Sequence, residues 1–248
     1  MKNENILDIA QKIKRELYPD ALIAFAAGSV FRGEGNEYSD IDFVVLYGDG
    51  FEDVRRESFM MDGWPVEAFI HNVRAQDYFF DKDREGGSPI MLSMVIEGIE
   101  IPGPSEFSRA RKAEAQRLFE LGPKPMSEDD VRAKRYHISD MLDDLRGQRK
   151  ASERLGVLSK LYINLADFHL RAAGKWSGNG KGLPRALQRY SPEIAGVYHD
   201  AFAEAFSGQG LDKLFSLSED ILNPYGGKLF EYRQAADPGG WKNFQGPA

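Results

Sequence analysis

Cysteine is absent from the 248-residue sequence, which excludes disulfide bonds and thiolate metal sites. Histidine is scarce as well, with four residues, at positions 71, 137, 169 and 199. Their separations match no metal-binding motif, so we expect each histidine to be an ordinary surface or core residue.

Long apolar runs and an excess of basic charge are also missing. The opening residues, MKNENILDIAQKIKREL, hold no apolar stretch long enough for a signal peptide or a membrane span. We therefore expect a soluble, cytoplasmic protein with no membrane partner. The net charge is −7 and the pI is about 5.3. Because proteins that bind long nucleic acids usually carry an excess of basic residues, we expect small-molecule or cationic partners instead.

The order of the expected elements divides the chain into a strand-rich first half and a helical second half. The linker GPKPMS, at 122–127, separates them. We therefore predict an α+β protein, with an α+β domain at 1–122 and an all-helical domain at 127–248. In the first half we expect helices at 6–17, 89–97 and 109–121 (the last one exposed) and strands at 21–27, 41–47, 66–70 and 99–104. In the second half we expect helices that start at Ser127, that span 155–174, that start at Ser191-Pro192 and that span 211–222.

Two aspartates, Asp40 and Asp42, stand at the start of the second apolar strand. Strand side chains alternate, so both carboxylates point to the same side of the sheet. Buried carboxylates are costly unless they are paired or bind a cation, and oxygen ligands suit Mg²⁺. Glu67 lies inside the third apolar strand and poses the same problem. If that strand pairs beside the second, Glu67 completes a three-carboxylate cluster.

A Gly-Ser pair, Gly28-Ser29, ends the first strand, ten residues before Asp40. Glycine lets a phosphate approach the backbone closely, and the serine hydroxyl and N–H can bind phosphate oxygens. Taken singly, each feature has an ordinary interpretation: Asp-x-Asp as a solvated turn, Gly-Ser as a turn, Glu67 as an ion-paired edge residue. Their order along the chain favours one common site.

The segment GSVFRGEGNEYSDIDFVVL, followed by VEAFI, resembles the nucleotidyltransferase superfamily, which includes DNA polymerase β and the bacterial aminoglycoside and lincosamide nucleotidyltransferases. The resemblance covers roughly residues 23–70, and the helical half resembles the C-terminal domains of the antibiotic-modifying members more loosely. It implies a small mixed-sheet nucleotidyltransferase domain followed by a helical bundle.

The resemblance also implies residue roles. Asp40 and Asp42 would hold two Mg²⁺ ions with the triphosphate, and Glu67 would bind the metal on the acceptor side. Ser29 and the Gly28 backbone would hold the β and γ phosphates. A nucleoside monophosphate would pass from a nucleoside triphosphate, with ATP expected, to a hydroxyl of a small molecule such as an antibiotic. The alternatives are a protein acceptor, as in toxin–antitoxin modifiers, and a non-catalytic nucleotide-binding module.

The second half offers further candidates. Lys181 lies in the glycine-rich stretch GKWSGNGKGLPRALQRY and is our candidate for a triphosphate contact, the alternative being a solvated loop lysine. Asp140 and Asp144 share a helix face. With Asp143 they form either an acidic lip for a cationic substrate or a plain exposed surface. Glu85, in the first half, is a candidate for a general base.

Overall fold

The computed structural model describes residues 5–147 and 150–235. The chain forms two compact units. The first, here called the sheet unit, runs through Lys124 and also includes Gly174–Asn179. The second, here called the helical unit, comprises Pro125–Ala173 and the chain from Gly180 onward. The domain limits expected from sequence, 1–122 and 127–248, stay a prediction, since this division rests on geometry alone.

The sheet unit contains a five-stranded mixed sheet in the order β3-β4-β2-β1-β5. Strands β2 and β4 pair in parallel, and every other neighbouring pair is antiparallel. Its elements are α1 (Ile6–Leu17), β1 (Ile23–Ala27), β2 (Ile41–Tyr47), β3 (Arg55–Met61), β4 (Trp64–Asn72), α2 (Val73–Gly86), α3 (Ile90–Glu97), β5 (Ile99–Ile101) and α4 (Glu106–Leu121).

Strand β2 is buried on both faces from Phe43 to Leu46, which explains the apolar run at these positions. Ile41 and Phe43 belong to a core cluster that includes Ile13 of α1. On the opposite face, Val44 packs in a second cluster that includes Leu92 of α3. A charged side chain in the middle of this strand would be buried at high cost. Asp42 therefore lies near the N-terminal end of β2, and Asp40 precedes the strand.

Within its described residues, the helical unit packs five helices around one apolar core. They are α5 (Glu128–Arg146), α6 (Ala151–Ala172), α7 (Gly182–Tyr190), α8 (Pro192–Ser207) and α9 (Asp212–Leu222), with a 3₁₀ turn at Asn223–Tyr225. Ser127 caps α5 in a capping box with Asp130, and Ser191 caps α8. The core includes Leu142, Leu165, Phe168, Tyr198 and Leu214. The predicted α+β class, a mixed sheet followed by helices, is confirmed.

A short segment of the chain, Gly174–Asn179, belongs to the sheet unit although helices flank it in sequence. The indole N–H of Trp176 donates to the carbonyl of Phe119 at 2.9 Å, and the two rings stack with centroids 5.6 Å apart. The Ser177 amide donates to the carbonyl of Gly87 at 2.7 Å. The first part of the glycine-rich stretch around Lys181 is thus a structural element of the sheet unit.

Two elements of the sheet unit were not predicted from sequence: β3 and α2. Strand β3, RRESFMM, is an edge strand with alternating burial, and it forms a hairpin with β4. The expected exposed helix at 109–121 needs correction, because α4 starts at Glu106 and buries Ala115 completely. Among the described residues, no helix has both the length and the hydropathy needed to cross a membrane.

Candidate active site

Three carboxylates converge at one end of the sheet. The parallel pairing of β2 and β4 places Asp42 beside Glu67, and Asp40 immediately precedes β2. One carboxylate oxygen from each of the three residues lies within 4.8 Å of the other two. We call these residues, Asp40, Asp42 and Glu67, the carboxylate cluster. Asp40 is exposed, and the other two are partly buried.

Gly28 leaves the space in front of Asp42 open. The antiparallel pairing of β1 and β2 sets Ala27 opposite Asp42, and Gly28 follows with a φ of +97°. A Cβ atom at position 28 would lie 2.7 Å from the Asp42 Oδ2 atom. This position therefore needs glycine for two reasons, its backbone angle and its close approach to a carboxylate.

Ser29 is linked across the loop to the residue that precedes Asp40. The hydroxyls of Ser29 and Ser39 are hydrogen bonded at 3.2 Å. The Ser39 hydroxyl also accepts from the Asn36 amide at 2.9 Å, and the Ser29 carbonyl accepts from the Glu34 amide at 2.9 Å. These bonds shape the ten-residue loop between the Gly-Ser pair and the carboxylate cluster.

Arg56, on the edge strand β3, forms a hydrogen-bonded ion pair with Glu67. Its guanidinium also lies over the ring of Phe69, 5.3 Å from the centroid. The Glu67 side chain is 22% exposed, against 62% for Arg56. Glu67 is thus ion paired, but on the inner strand β4 rather than at the sheet edge, and it also belongs to the carboxylate cluster. Its role as a metal ligand stays a prediction.

An open groove of about 310 Å³ adjoins the cluster. Two of its lining residues, Asp40 and Glu67, belong to the cluster, and most of the others are apolar. The remaining lining residues are Ser58, Phe59, Met60, Pro65 and Val66. The groove thus offers an apolar surface next to carboxylates, all within the sheet unit.

The candidates from the second half of the sequence belong to the helical unit. Lys181 is exposed at the N-cap position of α7, in the helical unit. Asp140 is exposed on α5, and Asp143 is ion paired with Lys228 and Arg146. Their roles stay predictions.

Glu85 is also engaged in ion pairs. Its carboxylate binds the ammonium groups of Lys82 and Lys124. Hydrogen bonds lower the pKa of Glu85, with the larger contribution from Lys82 and a smaller one from Lys124. A carboxyl that stays ionised so readily is a poor general base, because it binds a proton weakly.

Of the histidines, His71 is buried and His169 is partly buried. His71 is 3% exposed and stacks on Phe79, with ring centroids 4.6 Å apart. Burial lowers its pKa to about 4, and its Nδ1 atom has no hydrogen-bond partner among the described residues. Burial also lowers the pKa of His169.

Comparisons with known proteins identify the class of this site. Residues 7–85 match the family model of the nucleotidyltransferase domain. These residues run from α1 to the end of α2 and include the whole carboxylate cluster, Gly28 and Ser29. The match confirms the resemblance found in the sequence. Over residues 7–85 the chain therefore carries a nucleotidyltransferase domain, which is a transferase domain.

Among solved structures, the chain is similar to a nucleotidyltransferase-like protein from Exiguobacterium sibiricum 255-15. The two share 12% sequence identity, with a TM-score of 0.47, and the alignment covers 89% of this chain and 75% of the other. No curated protein matches the chain.

Proposed function

We propose that the protein transfers a nucleoside monophosphate from a nucleoside triphosphate, with ATP the expected donor, to a hydroxyl of a small molecule. The observation that carries this proposal is the carboxylate cluster, whose oxygens lie within 4.8 Å of one another in a nucleotidyltransferase domain. The acceptor hydroxyl attacks the α-phosphorus and loses its proton, the bond from that phosphorus to the bridging oxygen breaks, and pyrophosphate leaves.

The donor set fits divalent metal ions, with Mg²⁺ expected. Asp40, Asp42 and Glu67 offer only oxygen ligands, which hard cations prefer. The space in front of Asp42 is kept open by Gly28, since a Cβ there would lie 2.7 Å from the carboxylate. These three side chains would hold two ions. When bound, such ions stabilise charge on the attacking and leaving oxygens of the transferred phosphate.

The residues around the cluster would position the two substrates. The Gly28 backbone and the Ser29 hydroxyl would bind the β and γ phosphates, and Ser29 is already held by its bond to Ser39. Lys181 would add a positive charge to the triphosphate. Most of the catalysis would come from positioning and charge stabilisation, because the attacking hydroxyl belongs to the acceptor.

The groove beside Glu67 supports a small acceptor. A volume of about 310 Å³ lies within the lower range of small-molecule pockets. Its apolar residues would contact the body of the acceptor, and the carboxylates would face its hydroxyl. An antibiotic is the acceptor class that we favour, and the acidic surface of Asp140 and Asp144 would favour a cationic one.

The test is product formation with α-phosphate-labelled nucleotides. The purified protein is incubated with each labelled nucleoside triphosphate, Mg²⁺ and a panel of aminoglycosides, lincosamides and candidate proteins. Label transfer to a small molecule would support the proposal, and transfer to protein only would favour the alternative acceptor. Asp42→Asn should abolish transfer with the fold intact. Activity within about tenfold of the parent would refute the metal role, since losing a ligand in a two-metal site should cost more.

A further inference from the structure

Arg56 is not part of the family resemblance, yet it contacts the carboxylate cluster directly. The register of the β3–β4 hairpin sets Arg56 opposite Phe69 and Ser58 opposite Glu67. Residues two apart on a strand share a face, so Arg56 and Glu67 are diagonal neighbours on the same face of the sheet. The position of the arginine is therefore fixed by strand pairing rather than by a flexible loop.

Two contacts hold the guanidinium at this place. It is ion paired with the Glu67 carboxylate, and it lies 5.3 Å from the centroid of the Phe69 ring. The ring gives the cation a second attractive surface along the same face. Since the Arg56 side chain is 62% exposed, it can also leave this position into water at little cost.

The same carboxylate is a candidate metal ligand. A guanidinium bonded to Glu67 uses its oxygen lone pairs and places a positive charge beside the cation site. Both effects weaken the binding of a second cation. The three cluster carboxylates repel one another in the absence of a metal, and Arg56 offsets part of that repulsion.

We propose that Arg56 is a built-in counter-ion of the cluster and competes with a divalent cation for Glu67. This inference rests on the proposed function, because it takes the cluster to be a cation site. Arg56 holds Glu67 while the metal is absent and releases it when the metal binds. The ion pair therefore sets the concentration of metal at which the Glu67 side of the cluster fills.

The experiment measures Mn²⁺ binding to the full chain without nucleotide, by calorimetry or by the free-Mn²⁺ electron paramagnetic resonance signal. Arg56→Gln should bind Mn²⁺ about three- to tenfold more tightly than the parent, since one competing charge is removed. Arg56→Lys keeps the charge but loses the planar guanidinium over Phe69, so its Mn²⁺ affinity should lie between those of the parent and of Arg56→Gln. Adding Asp42→Asn to Arg56→Gln should abolish the gain, because the gain requires the cluster.

Arg55→Gln is the matched control. Arg55 is the next residue on β3, and its guanidinium binds Glu57 and Asp53 rather than Glu67. It removes the same charge from the same strand and should leave Mn²⁺ affinity within about twofold of the parent. Thermal unfolding of each variant checks that the sheet unit is intact.

Several results would overturn the inference. Unchanged affinity in Arg56→Gln would make the ion pair a surface contact without influence on the site. Weaker binding would show that Arg56 orients Glu67 for the metal instead of competing with it. An equal gain in Arg55→Gln would reduce the effect to net charge, and no Mn²⁺ binding by any variant would also refute it. A failure of nucleotidyl transfer is seen separately in the labelled-nucleotide assay, which does not depend on this titration.

Discussion

The sharpest test of the site geometry is the substitution Gly28→Ala, because one added methyl group meets a candidate metal ligand. The new Cβ atom would lie 2.7 Å from the Asp42 Oδ2 atom and 3.4 Å from its Cγ atom. Asp42 lies in a strand paired on both sides, so its backbone cannot shift away from the new Cβ atom. The Asp42 carboxylate must rotate away instead, which separates its oxygen from those of Asp40 and Glu67.

The magnitude has two parts. A residue other than glycine at a φ of +97° costs about 1–2 kcal/mol in backbone strain. Forcing the methyl group against Asp42 adds about 1–3 kcal/mol, the usual cost of overpacking. We therefore expect Gly28→Ala to lower the free energy of unfolding by about 2–5 kcal/mol. A ligand displaced by about 1 Å should lower the rate of nucleotidyl transfer about 100-fold.

Gly33→Ala is the matched control, since it isolates the steric effect. Gly33 lies in the same loop region with a φ of +74°, and no described atom lies within 4 Å of its added Cβ. Denaturant unfolding and the labelled-nucleotide assay should show backbone strain in both variants, but the loss of activity in Gly28→Ala alone. Equal activity in the two variants, or Gly28→Ala as stable as Gly33→Ala, would refute the argument.

Three further predictions concern other parts of the chain. Lys181→Ala should weaken nucleotide binding by about 1–3 kcal/mol in calorimetry, the range for a lost charged hydrogen bond, and unchanged affinity would make Lys181 a solvated loop residue. The double change Asp140→Asn with Asp144→Asn should raise the Michaelis constant of a cationic acceptor, most strongly at low salt; no change for any cationic compound would make the acidic surface irrelevant to binding. Burial raises the pKa of Asp83 from 3.8 to about 7. Between pH 3.8 and about pH 7 the folded protein therefore binds one more proton than the unfolded chain. The free energy of unfolding thus falls as the pH rises through this range. Asp83→Asn should flatten this part of a plot of unfolding free energy against pH by up to about 4 kcal/mol; an unchanged slope would show that Asp83 is ionised in the fold.

The parts of the fold that the sequence predicted are those where burial leaves little choice. Strand β2 was predicted over 41–47 and is found at Ile41–Tyr47, because a strand packed on both faces needs an unbroken apolar run. The alternation of strand side chains then placed Asp40 and Asp42 on one side. The position of Glu67 required one more condition, the pairing of its strand with β2, and the observed register meets that condition.

The missed parts follow from weaker local signals. Strand β3 lies at the sheet edge, where RRESFMM needs only half of its side chains to be apolar, and its charged residues conceal the pattern. Gly174–Asn179 joins the sheet unit through Trp176 and Ser177, and these contacts to Phe119 and Gly87 link residues far apart in sequence. The amino-acid composition of Gly174–Asn179 does not indicate these long-range contacts.

Because strand β3 was not predicted from the sequence, the ion pair of its Arg56 with Glu67 was not predicted either. Sequence reasoning set two interpretations of Glu67 against each other, an ion-paired edge residue and a metal ligand. They are compatible, because an exposed arginine forms a weak pair that a divalent cation can replace. Burying a carboxylate in part costs less free energy when a charged partner pairs with it. Arg56 is such a partner for Glu67, and a metal ion could take its place. The ion pair of Arg56 with Glu67 is therefore compatible with a cation at the cluster, and the Mn²⁺ titration of Arg56→Gln tests whether the arginine and the cation compete for Glu67.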